Sequence, residues 1–101
     1  MWRVRQTATF ADWFAALRDD QAKNWIAARI VRVEAGNFGD CKPVGAGVSE
    51  LRVDVGPGYR VYFTRRDGEL VILLCGGDKA SQQRDIVKAK AMASTLQRTN
   101  G

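Results

Sequence analysis

The sequence predicts an α+β fold: a twisted antiparallel sheet with an N-terminal pair of helices on one face and a C-terminal helix. Two successive stretches near the N-terminus place apolar residues at helical spacing. Three later stretches alternate or are wholly apolar and are separated by Gly-containing turns, as antiparallel neighbours are. The chain has 101 residues, which suffices for one core and not for two. We therefore expect a single domain over residues 1–101.

The N-terminal elements are a short strand and a helical hairpin. Residues 1–6 alternate between apolar and basic side chains, as in a strand with one solvated face. Thr7 and Thr9 can start a first helix, Asp19 or Asp20 can cap a second, and Gly36 can end it. The apolar stripes of the two helices are Phe10, Trp13, Phe14 and Leu17, then Ala22, Trp25, Ile26, Ile30 and Val33. The same spacing predicts that Trp2, Trp13 and Trp25 all belong to the core.

The C-terminal half predicts three strands and a last helix. A Gly-rich loop over residues 38–47, with room for a short strand at 42–44, precedes alternating strands over 48–55 and 59–64. Residues 70–74 are apolar on both faces, as in a central strand. Gly76 and Gly77 indicate a turn, and Asp78 or Ser81 can cap a helix that reaches about Gln97. Its apolar stripe is thin and predicts weak docking, and the element order becomes β-α-α-β-β-β-α.

A hairpin centred on Gly56-Pro57-Gly58 would bring several polar side chains to one sheet face. Counting from that centre pairs Arg52 with Tyr62, Asp54 with Arg60, and Glu50 with Thr64. Lys79 follows the next strand and could reach the same face. One interpretation is a solvated face with cross-strand ion pairs. The other is a surface for RNA, in which Arg holds phosphate, Tyr stacks on a base and a carboxylate accepts a proton.

Composition restricts the chemistry further. The net charge is +5, and residues 79–101 hold five basic side chains against one acidic one, which favours a polyanion or an acidic protein as partner. The absence of His excludes His triads and His metal ligands. Two Cys are too few for a disulfide framework or a zinc site. We expect no metal and no cofactor. We also expect no membrane segment and a cytoplasmic location, since no apolar run is long enough to span a membrane and no signal sequence is present.

Four sequence runs resemble one family. They are GNFGD at residues 36–40, VSELR at 48–52, GPGYRVYF at 56–63 and LLCGGDK at 73–79. In this order they resemble the RelE/ParE toxin superfamily, and most closely its HigB-like addiction module killer branch, over residues 3–97. The resemblance implies a RelE-like fold and the toxin of a bacterial type II toxin–antitoxin pair.

RelE-like members cleave mRNA in the ribosome without metal, and the resemblance implies this endoribonuclease activity here. The alternative that it implies is a non-enzymatic, ParE-like inhibitor of DNA gyrase. A third interpretation is an RNA-binding module without toxicity. The implied partners are mRNA, the ribosome and a cognate antitoxin, a small helix-turn-helix protein through which alone the complex would contact operator DNA.

The resemblance also implies residue roles. Arg60 matches the arginine at the scissile phosphate, and Arg52 and Lys79 match basic positions that hold the backbone. Glu50 lies where the strand carries Lys in some relatives, and a carboxylate near that position acts as the base in others, so the resemblance implies that Glu50 assists proton transfer. The remaining candidates for RNA binding are Tyr62, Lys42 and Arg84. RelE has a catalytic Tyr in its last helix, where this chain has Asp85 or its neighbours, and some relatives use a His that this chain lacks.

Overall fold

The computed structural model describes the backbone of residues 1–100 and the side chains of residues 1–96. The elements are β1 Arg3–Gln6, α1 Ala8–Ala16, α2 Asp20–Glu34, β2 Cys41–Gly45, β3 Val48–Val53, β4 Tyr59–Arg66, β5 Leu70–Asp78 and α3 Gln82–Asn100. The five strands form one sheet in the order β1-β5-β4-β3-β2. The predicted α+β class is confirmed. Two details differ. The short strand expected at residues 42–44 is β2, a full member of the sheet, and β1 pairs parallel to β5, so the sheet is mixed.

Local side-chain chemistry explains where the first two helices start and stop. The Thr7 side chain accepts a hydrogen bond from the Phe10 amide and caps α1. Asp19 accepts from two amides of the first turn of α2, which therefore begins at Asp20. After α2, Gly36 has φ 93°, a left-handed conformation that suits Gly and ends the helix.

One face of the sheet packs against α1 and α2. The buried members of this core are Phe10, Ile26, Val33, Leu51, Val53, Val61, Phe63, Val71 and Leu73. Trp2 and Trp13 pack at its edge, half-buried, as their spacing predicted. The prediction for Trp25 was wrong: 47% of its surface is exposed. Ile26, the next residue of α2, is fully buried. Because consecutive residues of a helix point in different directions, Trp25 lies at the edge of the face that contacts the core.

The other face of the sheet packs against α3. Its buried members are Val48, Tyr62, Leu74, Cys75, Ala89 and Ala93. The thin stripe did predict few large apolar side chains, but the inference of weak docking was wrong. Small residues at Ala89 and Ala93 allow the helix backbone to approach the sheet closely, and both are buried. The α3 helix therefore covers a sheet face that the sequence suggested would be solvated.

The β3–β4 hairpin has a different register from the one counted from its turn. Val53 pairs with Tyr59, so residues 54–58 form the loop, and Arg52 faces Arg60 while Glu50 faces Tyr62. All three predicted pairs, Arg52 with Tyr62, Asp54 with Arg60 and Glu50 with Thr64, are therefore wrong. Each partner moves by two residues, and because side chains alternate with period two, every residue keeps its predicted face.

Gly76 and Gly77 lie inside β5 and not in a turn. A Cβ on Gly76 would come within 2.3 Å of the Trp13 ring, on the α1 side of the sheet. A Cβ on Gly77 would overlap the Asp85 carboxylate, on the α3 side. The pair of glycines is therefore explained by close packing on both faces of one strand, and neither glycine has a positive φ.

Gly76→Ala tests this packing. We expect the substitution to lower the free energy of unfolding by roughly 1–3 kcal/mol, since the backbone permits Ala but the added methyl meets Trp13. Urea unfolding measures the effect. The matched control is the same substitution in a Trp13→Ala background, where it should cost much less. An equal cost in both backgrounds would show that Trp13 is not the obstacle.

Candidate functional site

Glu50 lies at the centre of a polar cluster between the sheet and α3. The β3–β4 register places it opposite Tyr62, whose hydroxyl donates to Glu50 Oε2 at 3.2 Å. Gln82, in the first turn of α3, donates its Nε2 to the same oxygen at 2.7 Å. The Glu50 side chain is fully buried, and its other oxygen, Oε1, accepts no hydrogen bond. That oxygen faces Arg60 Nε at 3.7 Å.

Arg60 extends from this buried carboxylate toward Gly58 and Lys79, and these three residues form what we call the mouth of the site. Its side chain is 8% exposed, and its Nε, like Glu50 Oε1, has no hydrogen-bond partner. At the outer end, Nη1 donates to the backbone oxygen of Tyr59 at 3.1 Å and lies 3.7 Å from Asp54 Oδ1. The guanidinium is thus flanked by one buried carboxylate and one that is 76% exposed. Its inner partner is fixed, whereas its outer partner is free to move in solvent.

A glycine brings Lys79 to the same mouth. Gly58 has φ 79°, which the turn requires. A Cβ built there would lie 3.5 Å from both Arg60 Nη1 and Lys79 Cβ, so the bare backbone lies next to both cationic residues. Lys79 is exposed and, within the described side chains, makes no hydrogen bond or ion pair. Arg60 and Lys79 are therefore the two predicted site residues that lie together beside this turn, Lys79 exposed and Arg60 with 8% of its side chain exposed.

Arg52 lies directly across from Arg60 but is engaged elsewhere. Its Nη2 and Nε donate to Asp40 Oδ1 at 2.8 and 3.1 Å. The hydrogen bond and the charge of Asp40 raise the pKa of Arg52. Each of the two arginines thus has its own carboxylate, and both guanidiniums lie on the α3 side of the sheet, since directly opposed side chains share a face.

Glu50 and Tyr62 do not occupy the solvated face that the sequence predicted. Both have 0% exposure, because α3 covers them. Burial, and then the neighbouring Glu50 carboxylate, raise the pKa of Tyr62 well above its usual value. Tyr62 therefore has no ring face to offer a base, and Glu50 cannot reach a substrate proton in this conformation. The expectations that Tyr62 stacks on a base and that Glu50 accepts a proton from the substrate both required exposed side chains, and both side chains are buried.

The two remaining candidates, Lys42 and Arg84, are exposed. Lys42 pairs with Glu50 in the β2–β3 ladder and so lies at the far edge of the same cross-strand row. Arg84 lies in the first turn of α3, with its side chain 83% exposed and its Nε 4.0 Å from Asp85 Oδ1. They lie on different elements, and no contact joins either of them to Arg60.

Asp85 forms a second buried cluster with Ser81 and Cys75. The Ser81 hydroxyl donates to Asp85 Oδ2, and the Ser81 amide donates to Asp78 Oδ1 at 3.1 Å. The Cys75 thiol donates to the Asp85 backbone oxygen at 3.8 Å. Asp85 is 7% exposed, so its carboxylate shapes the start of α3 and is not presented to solvent.

Arg29 is a structural residue that sequence reasoning missed. From α2 it donates to the backbone oxygens of Arg52, Phe38 and Asp40 at 2.6, 3.3 and 3.3 Å. A Cβ on Gly39 would lie 3.0 Å from its Nη2, so the loop follows the guanidinium closely. Helical spacing gives no signal for such a contact, because its acceptors belong to a distant loop and strand.

The described part of the chain offers no conventional metal centre. Within it, no group of three or more His, Cys, Asp or Glu side chains could hold a metal ion. Among the helices within residues 1–100, none combines the length and apolarity needed to cross a membrane.

The buried Glu50–Arg60 pair generates a stability prediction. Glu50→Ala should lower the free energy of unfolding by about 3 kcal/mol, because it leaves Arg60 buried without its inner carboxylate. Asp54→Ala removes the exposed partner and should change stability by less than about 0.5 kcal/mol. Urea unfolding of both variants compares them. Similar losses in the two would contradict the assignment of Glu50 as the fixed partner.

Cys75 generates a pH prediction. Burial, then the Asp85 carboxylate, raise the pKa of Cys75 from 9.0 to about 11, with Lys88 opposing. The thiol therefore ionises earlier in the unfolded chain than in the folded one. Its contribution to stability is complete below pH 9 and is lost between pH 9 and 11, at a cost on the order of 2–3 kcal/mol.

Urea unfolding at pH 8 and pH 11 measures this loss. Cys75→Ala should show a smaller decrease in stability over this range than the parent protein, with Cys41→Ala as the control for removing a thiol. The same decrease in the parent and in Cys75→Ala would exclude Cys75 as its source.

Comparison with known proteins identifies the family. The family model described as "Phage derived protein Gp49-like (DUF891)" matches residues 12–98. A relative from Haemophilus influenzae (strain ATCC 51907 / DSM 11121 / KW20 / Rd), described as an uncharacterized protein, is 51% identical over 94 residues, covering 93% of this chain and 95% of its own. This family is RelE-like and toxin-like in general, which agrees with the resemblance seen in the sequence runs. The chain belongs to the phage-derived Gp49-like protein family.

Proposed function

We propose that this chain is the toxin of a type II toxin–antitoxin pair, from the HigB-like branch, and that it cleaves ribosome-bound mRNA without a metal. The observation that carries the proposal is the mouth formed by Arg60, Lys79 and the bare backbone of Gly58. Both residues lie next to the same backbone, so a phosphate at this position would contact the exposed Lys79 and the outer end of the largely buried Arg60 guanidinium.

Arg60 suits the phosphate because it is held in place before any ligand binds. Glu50 lies beside its Nε and the Tyr59 carbonyl accepts from its Nη1, so little side-chain freedom remains to be lost on binding. The contact with Asp54 is 3.7 Å long and reaches an exposed carboxylate, so it is weak. A phosphate can replace Asp54 and accept two parallel hydrogen bonds from the guanidinium.

The chemistry needs a proton acceptor, and Asp54 fits better than Glu50. In the proposed reaction the ribose 2′-oxygen attacks the adjacent phosphorus, its proton passes to the Asp54 carboxylate, and the bond to the 5′-oxygen breaks. The leaving oxygen takes a proton from water, and a 2′,3′-cyclic phosphate remains. Arg60 and Lys79 stabilise the added negative charge in the transition state. Glu50 becomes a positioning residue that holds Arg60.

The other basic candidates contribute to binding. Lys42 and Arg84 are exposed and can contact flanking phosphates of mRNA or ribosomal RNA. Arg52 can do so if a phosphate competes with Asp40 for its guanidinium. Tyr62 has a structural role in this proposal, as the donor that holds Glu50.

The proposal includes the partners that the family resemblance implied. The antitoxin is a small helix-turn-helix protein that neutralises the toxin, and operator DNA is bound only through the complex. The competing function is ParE-like inhibition of DNA gyrase without catalysis. Complete burial of Glu50 and Tyr62 favours that alternative, because it removes two groups that a nuclease resembling RelE would use at its surface.

Substitutions at the mouth test the proposal. Lys79→Ala changes an exposed side chain and should leave stability unchanged, while it lowers the rate of mRNA cleavage on programmed ribosomes about a hundredfold. Arg60→Lys keeps the charge but loses the paired donors and should also lose most activity. Arg32→Ala, an exposed cation of α2 on the opposite side of the sheet, is the matched control.

Induced cells provide the second readout. Codon-phased mRNA 5′ ends that disappear in Lys79→Ala support the nuclease. DNA double-strand breaks without mRNA cuts would instead establish the gyrase alternative. A folded Lys79→Ala protein that cleaves at the parent rate would remove this mouth as the active site.

A further inference from the structure

A second feature lies next to the mouth: a groove of about 540 Å³ at the end of the sheet. It lies between the C-terminal end of α1, the β3–β4 loop, the end of β5 and the first turns of α3. Trp13 and Tyr59 form one side, Arg84 and Lys88 the other, and Gly76 and Gly77 line it between them. Its volume is in the range of sites that hold small organic ligands.

Both aromatic side chains pack against the edge of the core and keep part of their surface exposed. Both are half-buried, and their ring centroids are 6.3 Å apart at 67°. The six-membered ring of Trp13 lies against Gly76. Within the described side chains, neither the indole N–H of Trp13 nor the hydroxyl of Tyr59 has a hydrogen-bond partner. Each group is a donor without a protein partner among the described side chains, which leaves it available to water or to a ligand.

The groove is lined by two carboxylates and two cations, and the cations are the groups that remain available to a ligand. Asp78 and Asp85 also line it, but their carboxylates already accept hydrogen bonds from the Ser81 amide and hydroxyl. Lys88 makes no hydrogen bond or ion pair in the described part of the chain, and Arg84 has only a 4.0 Å contact with Asp85. Two exposed cations therefore remain at the rim of an aromatic site.

We propose that this groove binds one unpaired nucleotide of a single-stranded RNA, with its base against Trp13 and Tyr59 and its phosphate at Lys88 and Arg84. Aromatic side chains stack on any base, and neighbouring cations bind the backbone. This inference rests on the proposed function for its ligand. It adds a subsite beside the phosphate at Arg60, because Arg60 Nη1 donates to the Tyr59 backbone and Lys79 follows Asp78 directly.

Tryptophan fluorescence provides a readout that is independent of cleavage. The full chain with Trp2→Phe and Trp25→Phe retains Trp13 as its only tryptophan. The probes are a short 2′-O-methyl RNA, which cannot be cleaved, and the same oligonucleotide with abasic sites. We expect the base-containing probe to quench Trp13 emission and to bind ~10-fold more tightly than the abasic one, the lower part of the range for one stacked base.

Two variants separate stacking from charge. Tyr59→Ala should weaken binding of the base-containing probe ~10-fold and leave the abasic probe unaffected. Lys88→Ala should weaken both probes equally, and Arg32→Ala should weaken neither. Equal binding of the two probes, or equal quenching by a polyglutamate peptide, would overturn the proposal in favour of a general site for anions or acidic proteins.

The same proteins keep this inference distinct from the proposed function. In the Lys79→Ala protein, cleavage should be lost while base-dependent quenching of Trp13 persists. Cleavage without any base-dependent quenching would contradict nucleotide binding in the groove and would support the nuclease function alone. Base-dependent quenching in a protein that never cleaves mRNA would overturn the nuclease and leave an RNA-binding groove.

Discussion

The buried contact between Glu50 and Arg60 is the constraint on which the arrangement of the site depends. Removing two charges from water is costly unless partners satisfy them. Here the compensation comes from three groups on two elements: Tyr62 and the Tyr59 carbonyl on β4, and Gln82 on α3. The pair therefore ties the first turn of α3 to the β3–β4 hairpin. It also leaves one end of the guanidinium at the surface, beside Asp54.

Glycines decide how closely the surrounding elements approach. Gly76 and Gly77 allow Trp13 and Asp85 to contact opposite faces of β5, and Gly58 brings the β3–β4 turn beside Arg60 and Lys79. The end of the sheet thus combines bare backbone, half-buried aromatic rings and two lysines, Lys79 and Lys88, that form no ion pair within the described side chains. This combination is what makes the mouth and the groove adjacent features of one surface. A side chain at Gly76 or Gly77 would clash with Trp13 or Asp85, and one at Gly58 would be strained by the positive φ of 79°.

The burial of Glu50 and Tyr62 changes how the family resemblance should be understood. The sequence runs that carry the resemblance include both residues, yet their shared feature here is an internal hydrogen-bond network. The GNFGD run also has a structural explanation, because Phe38 stacks on Phe63 and Gly39 lies against Arg29. The residues of those runs that form the mouth are Gly58, Arg60 and Lys79.

The sequence alone predicted both N-terminal helices, the β3–β4 hairpin and the side chains on each of its faces, but it placed Gly76 and Gly77 in a turn. Helical spacing in α1 and α2 and alternation in β3 and β4 are local signals, and capping by Thr7 and Asp19 needs only a few neighbouring residues. Arg60 and Lys79 were also predicted as candidate site residues from the sequence, because they lie in the runs that resemble the toxin family.

Tertiary structure decided which of those polar residues meet solvent. Whether Glu50 and Tyr62 are exposed depends on α3, more than twenty residues away along the chain, and on two small alanines that let it pack closely. The hairpin register depended on the five-residue loop over 54–58, whose geometry a turn motif did not specify. The groove of Trp13, Tyr59 and Lys88 assembles from three distant segments. Burial and long-range juxtaposition are properties of packing, so no local pattern could have predicted them.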